Sequence, residues 1–94
     1  MRLERIIARS RIIDLHSVDL AGALQSWIDA ERPADGVLYH AALAAFERPL
    51  FEMALRRTGG NQLRAARLLG INRNTLRKRL SELEIEPERF SPHD

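Results

Sequence analysis

The stretch from Asn61 to Leu83, NQLRAARLLGINRNTLRKRLSEL, is patterned as two short helices joined by a tight turn at Gly70. Asn61 can cap the free N–H groups of a helix start, and Asn72 can do the same for a second helix. Between them Gly70 supplies the stop, because glycine accepts positive φ. Ala65, Ala66, Leu68 and Leu69 give the first helix an apolar face. Leu76, Leu80 and Leu83 repeat at i, i+4 and i+7 on the second, and Ile71 fills the corner. Small alanines allow close crossing, so the pattern predicts a helix-turn-helix whose second helix faces outward.

Charge is distributed in step with that plan. From Arg56 to Arg79 there are eight basic residues and no acid: Arg56, Arg57, Arg64, Arg67, Arg73, Arg77, Lys78 and Arg79. Outside this span the balance reverses, with seven basic residues against thirteen acidic ones, so the formal net charge of +2 conceals a concentrated patch. A solvated helix face ordinarily mixes both signs. A one-signed face on a helix-turn-helix points to a nucleic acid, whose phosphates are the natural counter-charge.

The same reasoning bounds the rest of the chain. Ninety-four residues make one small domain whose core dimerisation would help stabilise. With no cysteine there is neither a disulfide framework nor a thiolate metal site. No apolar run approaches a membrane span and no secretory pattern opens the chain, so a cytoplasmic protein is expected. His16, His40 and His93 are scattered, Ser17, Ser26 and Ser81 lie in no nucleophile motif, and no glycine-rich phosphate loop precedes a helix. The pattern calls for no enzyme, cofactor or metal. A dimerisation or adaptor module is the other reading, but it has no need of the acid-free span.

Residues 1–16 read as an arm or linker, with Arg2, Arg5, Arg9 and Arg11 available to touch DNA or a partner. Residues 17–58 read as dimerisation helices. The first begins at Ser17, which can cap it, and repeats Leu20, Ala23/Leu24 and Trp27/Ile28 before ending near Ala30 or Glu31. Arg32-Pro33-Ala34-Asp35-Gly36 is turn chemistry. A long helix then runs from about Gly36, with Asp35 or Gly36 as cap, to Thr58. Its apolar set spreads over most of its girth, so it must be covered on most sides. A second copy of the chain is the expected cover, across Trp27, Leu38, Ala42, Ala45, Phe46, Pro49, Leu50 and Met53. Pro49 removes one N–H and predicts a kink rather than a break, the alternative being two helices meeting at Arg48–Pro49. Residues 59–85 form the helix-turn-helix unit. Residues 86–94 are expected to fray, since Pro87 and Pro92 discourage helix.

The segment GGNQLRAARLLGINRNTLRKRLSEL, with VLYHAALAAFERPLFEMALRRT before it, resembles the Fis family of DNA-binding domains, which includes output domains of NtrC-type regulators. The likeness runs from about Leu20 to Ile85, and Asn74 is the variant familiar from the NtrC-type members. Residues 1–16 do not resemble the family's β-hairpin arms. The resemblance implies an all-α, four-helix protomer with a C-terminal helix-turn-helix, in an intertwined homodimer that bends double-stranded DNA. It implies DNA contacts at Asn61, Gln62, Asn72, Arg73, Thr75, Arg77 and Lys78; Asn74 is added from its place in the first turn of the second helix. The implied function is transcription regulation in a bacterial nucleoid, with DNA, a second copy, and RNA polymerase or a larger regulator chain as partners. An architectural DNA binder with little sequence preference is the alternative.

Overall fold

The computed structural model describes residues 19–92, and the expected arm lies outside them. Among the described residues there are four α-helices and no strand: α1 (Leu20–Glu31), α2 (Leu38–Arg57), α3 (Gln62–Leu69) and α4 (Arg73–Glu82), followed by a 3-10 helix at Pro87–Phe90. The architecture is all-α with a helix-turn-helix at α3–α4, as the sequence predicted. The chain divides into two compact units, Met1–Ala42 and Leu43–Asp94.

In the first unit, α1 starts later than its periodicity suggested. Asp19 caps it, its Oδ1 accepting the Gly22 N–H at 2.6 Å. Ser17, the expected cap, lies outside the described residues. Both residue types cap well, and only the phase of the helix distinguishes them. Arg32 ends the helix in the left-handed region at φ 47°, its N–H donating to the Ile28 carbonyl at 2.8 Å. No residue of α1 is buried; Leu20 and Leu24 are exposed, and Trp27 and Ile28 half-buried. Helix α2 likewise starts after its anticipated Asp35–Gly36 cap. Those residues belong to a turn, and the Ala41 N–H donates to the Val37 carbonyl at 2.9 Å.

Helix α2 is continuous through Pro49, so the two-helix alternative at Arg48–Pro49 does not occur. The lost N–H is one hydrogen bond in a helix that packing holds on both sides of the proline. Its C-terminal half begins the core of the second unit. Phe51, Ala54 and Leu55 are buried with Ala65 and Ala66 of α3, with Leu76 and Leu80 of α4, and with Leu83 and Ile85 beyond it. Leu50, expected at a dimer interface, is half-buried and packs against the edge of this core.

Local chemistry sets the corners. The Asn61 Oδ1 accepts the Arg64 N–H at 3.0 Å, opening α3. Gly70 closes that helix at φ 77°, its N–H donating to the Ala66 carbonyl at 2.8 Å. A side chain at that φ would be strained, which is why glycine stands there. The Asn72 Oδ1 accepts the Asn74 N–H at 2.7 Å and opens α4.

Two long-range interactions could not be anticipated from local pattern. Arg79 hydrogen-bonds Glu47 of α2 and donates to the Glu82 Oε1 at 2.5 Å. The Glu47 hydrogen bond, more than any other influence, raises the already high pKa of the guanidinium. Arg48 donates to the Leu83 carbonyl at 2.5 Å, tying α2 to the end of α4. Glu47 is the more sheltered acid, its side chain 14% exposed against 47% for Glu82. Glu47→Ala is therefore expected to lower stability by about 1–2 kcal/mol, and Glu82→Ala by less than about 0.5. Equal shifts in urea midpoint for the two would show that Glu47 does not anchor Arg79.

The expected fraying after Ile85 is not what the structure shows for residues 86–92. Glu84 takes φ 57°, and the Ile85 N–H returns to the Leu80 carbonyl at 2.9 Å. Pro87 occupies the first position of the 3-10 helix, where its missing N–H costs nothing. Phe90 packs against the core and lies under the Arg56 guanidinium, 5.8 Å from the ring centre. Gly60 receives the segment: a Cβ there would sit 2.6 Å from the Pro87 carbonyl oxygen and 2.9 Å from the Ser91 Oγ.

Candidate nucleic-acid interface

Helix α4 separates its residues cleanly. Leu76 and Leu80 face the core, while Arg73, Asn74, Thr75, Arg77 and Lys78 are exposed. At about 100° per residue, Arg73 and Arg77 lie about 40° apart on one flank, as do Asn74 and Lys78 on the next. The first turn holds no acid and lies at the positive end of the helix dipole, so it attracts anions by charge and by dipole. Asn72 commits its Oδ1 to that cap, leaving its amide N–H groups to donate. Asn61 is placed likewise at the start of α3, and Gln62 beside it is half-buried.

The structure divides the basic span that looks uniform in sequence. Arg79 turns inward to Glu47 and Glu82, and among the described residues only Arg79 forms ion pairs. Its charge is therefore matched within the fold, although its side chain stays partly exposed. Gln62 and Arg77 share one open cleft of about 270 Å³, floored by Leu80 and Ile85. Arg57, Arg64 and Arg67 line a separate opening of about 460 Å³ with Thr58 and Leu68. Arg64 and Arg67 lie on the side of α3 opposite the buried Ala65 and Ala66. Sequence reasoning did not single out these three arginines as a group. Their signal was the i, i+3 spacing on α3, but nothing local places Arg57 beside them.

The residues proposed for a dimer interface are only partly covered within one chain. Leu38, Ala45, Phe46 and Pro49 are exposed, and Trp27, Ala42 and Met53 half-buried. Val37 and Tyr39 add to the apolar surface at 49% and 72% exposure.

The family profile described as bacterial regulatory protein, Fis family, matches residues 42–83. Those residues form a Fis-family domain. The Fis-family match spans α3 and α4 entirely and most of α2, so it takes in the whole frame that presents α4. The DNA-binding transcriptional regulator NtrC of Rhizobium meliloti is 40% identical over 92 residues, covering 95% of this chain and 19% of that protein. NtrC of Bradyrhizobium sp. is 45% identical over 74 residues, 72% of this chain and 15% of that protein. The DNA-binding protein Fis of Buchnera aphidicola is 56% identical over 48 residues, 51% of this chain and 49% of its own length. The chain thus spans about half of the Fis relative and a fifth or less of these NtrC relatives. No solved structure matches it significantly. No helix among the described residues is long and apolar enough to cross a membrane.

Proposed function

We propose that the chain binds double-stranded DNA sequence-specifically as a homodimer, inserting α4 of each protomer into the major groove, and that it serves transcription regulation. The exposed, acid-free stretch Arg73–Lys78 in the first turns of α4 carries this reading. Arg73, in the first turn, donates to guanine O6 and N7, and Asn74 reaches a neighbouring base edge or phosphate. Thr75, Asn61 and Gln62 hold phosphates, helped by the N–H groups of the helix starts. Asn72 contributes its amide, Arg77 flanks Arg73, and Lys78 meets the backbone. Arg57, Arg64 and Arg67 offer further phosphate contacts away from α4, which favours a duplex bent towards the protein. The names of the NtrC and Fis relatives support DNA binding.

Arg73→Ala and Lys78→Ala separate the roles. The first is expected to weaken a selected site by about 1–3 kcal/mol and relax one base pair per half-site. The second is expected to weaken selected and random duplexes alike and flatten the salt slope. Identical behaviour on both duplexes, read by fluorescence anisotropy, would overturn this division. Salt-steep binding without sequence enrichment would instead establish an architectural binder.

The dimer is supported by the uncovered apolar side chains of Leu20, Leu24, Leu38 and Phe46. A Leu24→Asp, Leu38→Asp double variant is expected to sediment as a monomer while keeping its helical circular dichroism. An unchanged dimer would place the interface elsewhere.

A further inference from the structure

The C-terminal segment beyond the family match, which ends at residue 83, brings acid to the proposed DNA face. Glu86 and Glu88 line the same cleft as Gln62 and Arg77. They cannot swing away with a loose tail. Ile85 is buried, Pro87 and Ser91 close on Gly60, and Phe90 sits between the core and Arg56. Neither carboxylate forms an ion pair with a described residue, so no direct salt bridge offsets either one in the cleft they share with Gln62 and Arg77.

We infer that Glu86 and Glu88 are an electrostatic brake on DNA binding: they oppose the phosphates that Gln62 and Arg77 would otherwise hold. This inference rests on the DNA-binding reading above. A phosphate arriving at Gln62 enters a cleft that two carboxylates also line, and over so short a span salt screens incompletely. Backbone contact is thereby weakened without touching the bases that Arg73 reads. Binding leans more on base contacts, and a chain so tuned leaves unrelated sequence sooner. Because each carboxylate retains a cation near the bound duplex, the brake also makes the salt dependence shallower.

The test is the Glu86→Gln, Glu88→Gln double variant, with duplex affinity measured by anisotropy across a salt series. Glutamine keeps the shape, and circular dichroism verifies the fold. Affinity for a random duplex is expected to rise about three- to tenfold at low salt, with a steeper salt slope and convergence on wild type as salt rises. Glu86→Gln alone and Glu84→Gln alone make the same change in net charge, but Glu84 does not line the cleft. The first is expected to give the larger gain. Unchanged affinity in the double variant, or equal gains from Glu84→Gln and Glu86→Gln, would overturn the brake while leaving DNA binding intact. A wild-type chain that binds no duplex at low salt would overturn the DNA reading itself, and the brake with it.

Discussion

Raising salt from 50 to 200 mM is expected to weaken duplex binding by about 10³–10⁵-fold, as for a protein making about 6–10 phosphate contacts. Two protomers can supply that number. Each exposes Arg73, Arg77 and Lys78 on α4, and Arg57, Arg64 and Arg67 along the end of α2 and the outer side of α3. Each phosphate neutralised releases condensed counterions, and that release grows less favourable as bulk salt rises. Replacing Arg57, Arg64 and Arg67 together by glutamine is expected to flatten the slope by about one unit for each phosphate no longer neutralised, and to leave the preferred sequence unchanged. Anisotropy titrations at four or five salt concentrations measure both slopes. A wild-type slope near zero would mean that the basic surface does not meet phosphate. An unchanged slope in the triple variant would confine the DNA-binding surface to α4 and the starts of the helices.

The second large effect concerns stability. Leu76→Ala is expected to cost about 2–5 kcal/mol, because it removes a side chain with no exposed surface and leaves a cavity in the core cluster that includes Leu55, Ala66 and Leu80. Small domains are stable by only about 5–15 kcal/mol, so this is a large share of the total. Helix α4 has ten residues, too few to persist without its tertiary packing. The variant should therefore unfold, and lose its DNA-binding face with α4, at a lower urea concentration, although Leu76 faces away from the proposed groove. Asn74→Ala is the comparison: the side chain is exposed two residues away, and its stability effect should stay within about 0.5 kcal/mol. Urea unfolding followed by circular dichroism reads both. Equal midpoint shifts would contradict the assignment of Leu76 to the core.

Much of this protein was legible in its residues because the deciding interactions are local. Asn61, Gly70 and Asn72 act within three or four residues of themselves, so the helix-turn-helix and its boundaries follow from chemistry visible in the sequence. The continuity of α2 through Pro49 was legible for the same reason, since apolar helical spacing continues on both sides. The cap of α1 was not: acceptable caps two residues apart give the same periodicity, and only the folded helix selects Asp19.

Other features depend on residues that only folding brings together. Arg79 belongs to an unbroken basic run, yet Glu47, thirty-two residues earlier, pairs its charge within the fold. Arg57 joins Arg64 and Arg67 across the glycine turn. The last residues carry two prolines and no helical period, so sequence offers no anchor for them. Gly60, Arg56 and the core supply that anchor from another part of the chain. Sequence alone determined where the helices of the helix-turn-helix start and stop, because capping and turn geometry act over a few bonds. Tertiary structure decided which charges face outward and what holds the tail, because electrostatics and packing depend on distance in space rather than along the chain.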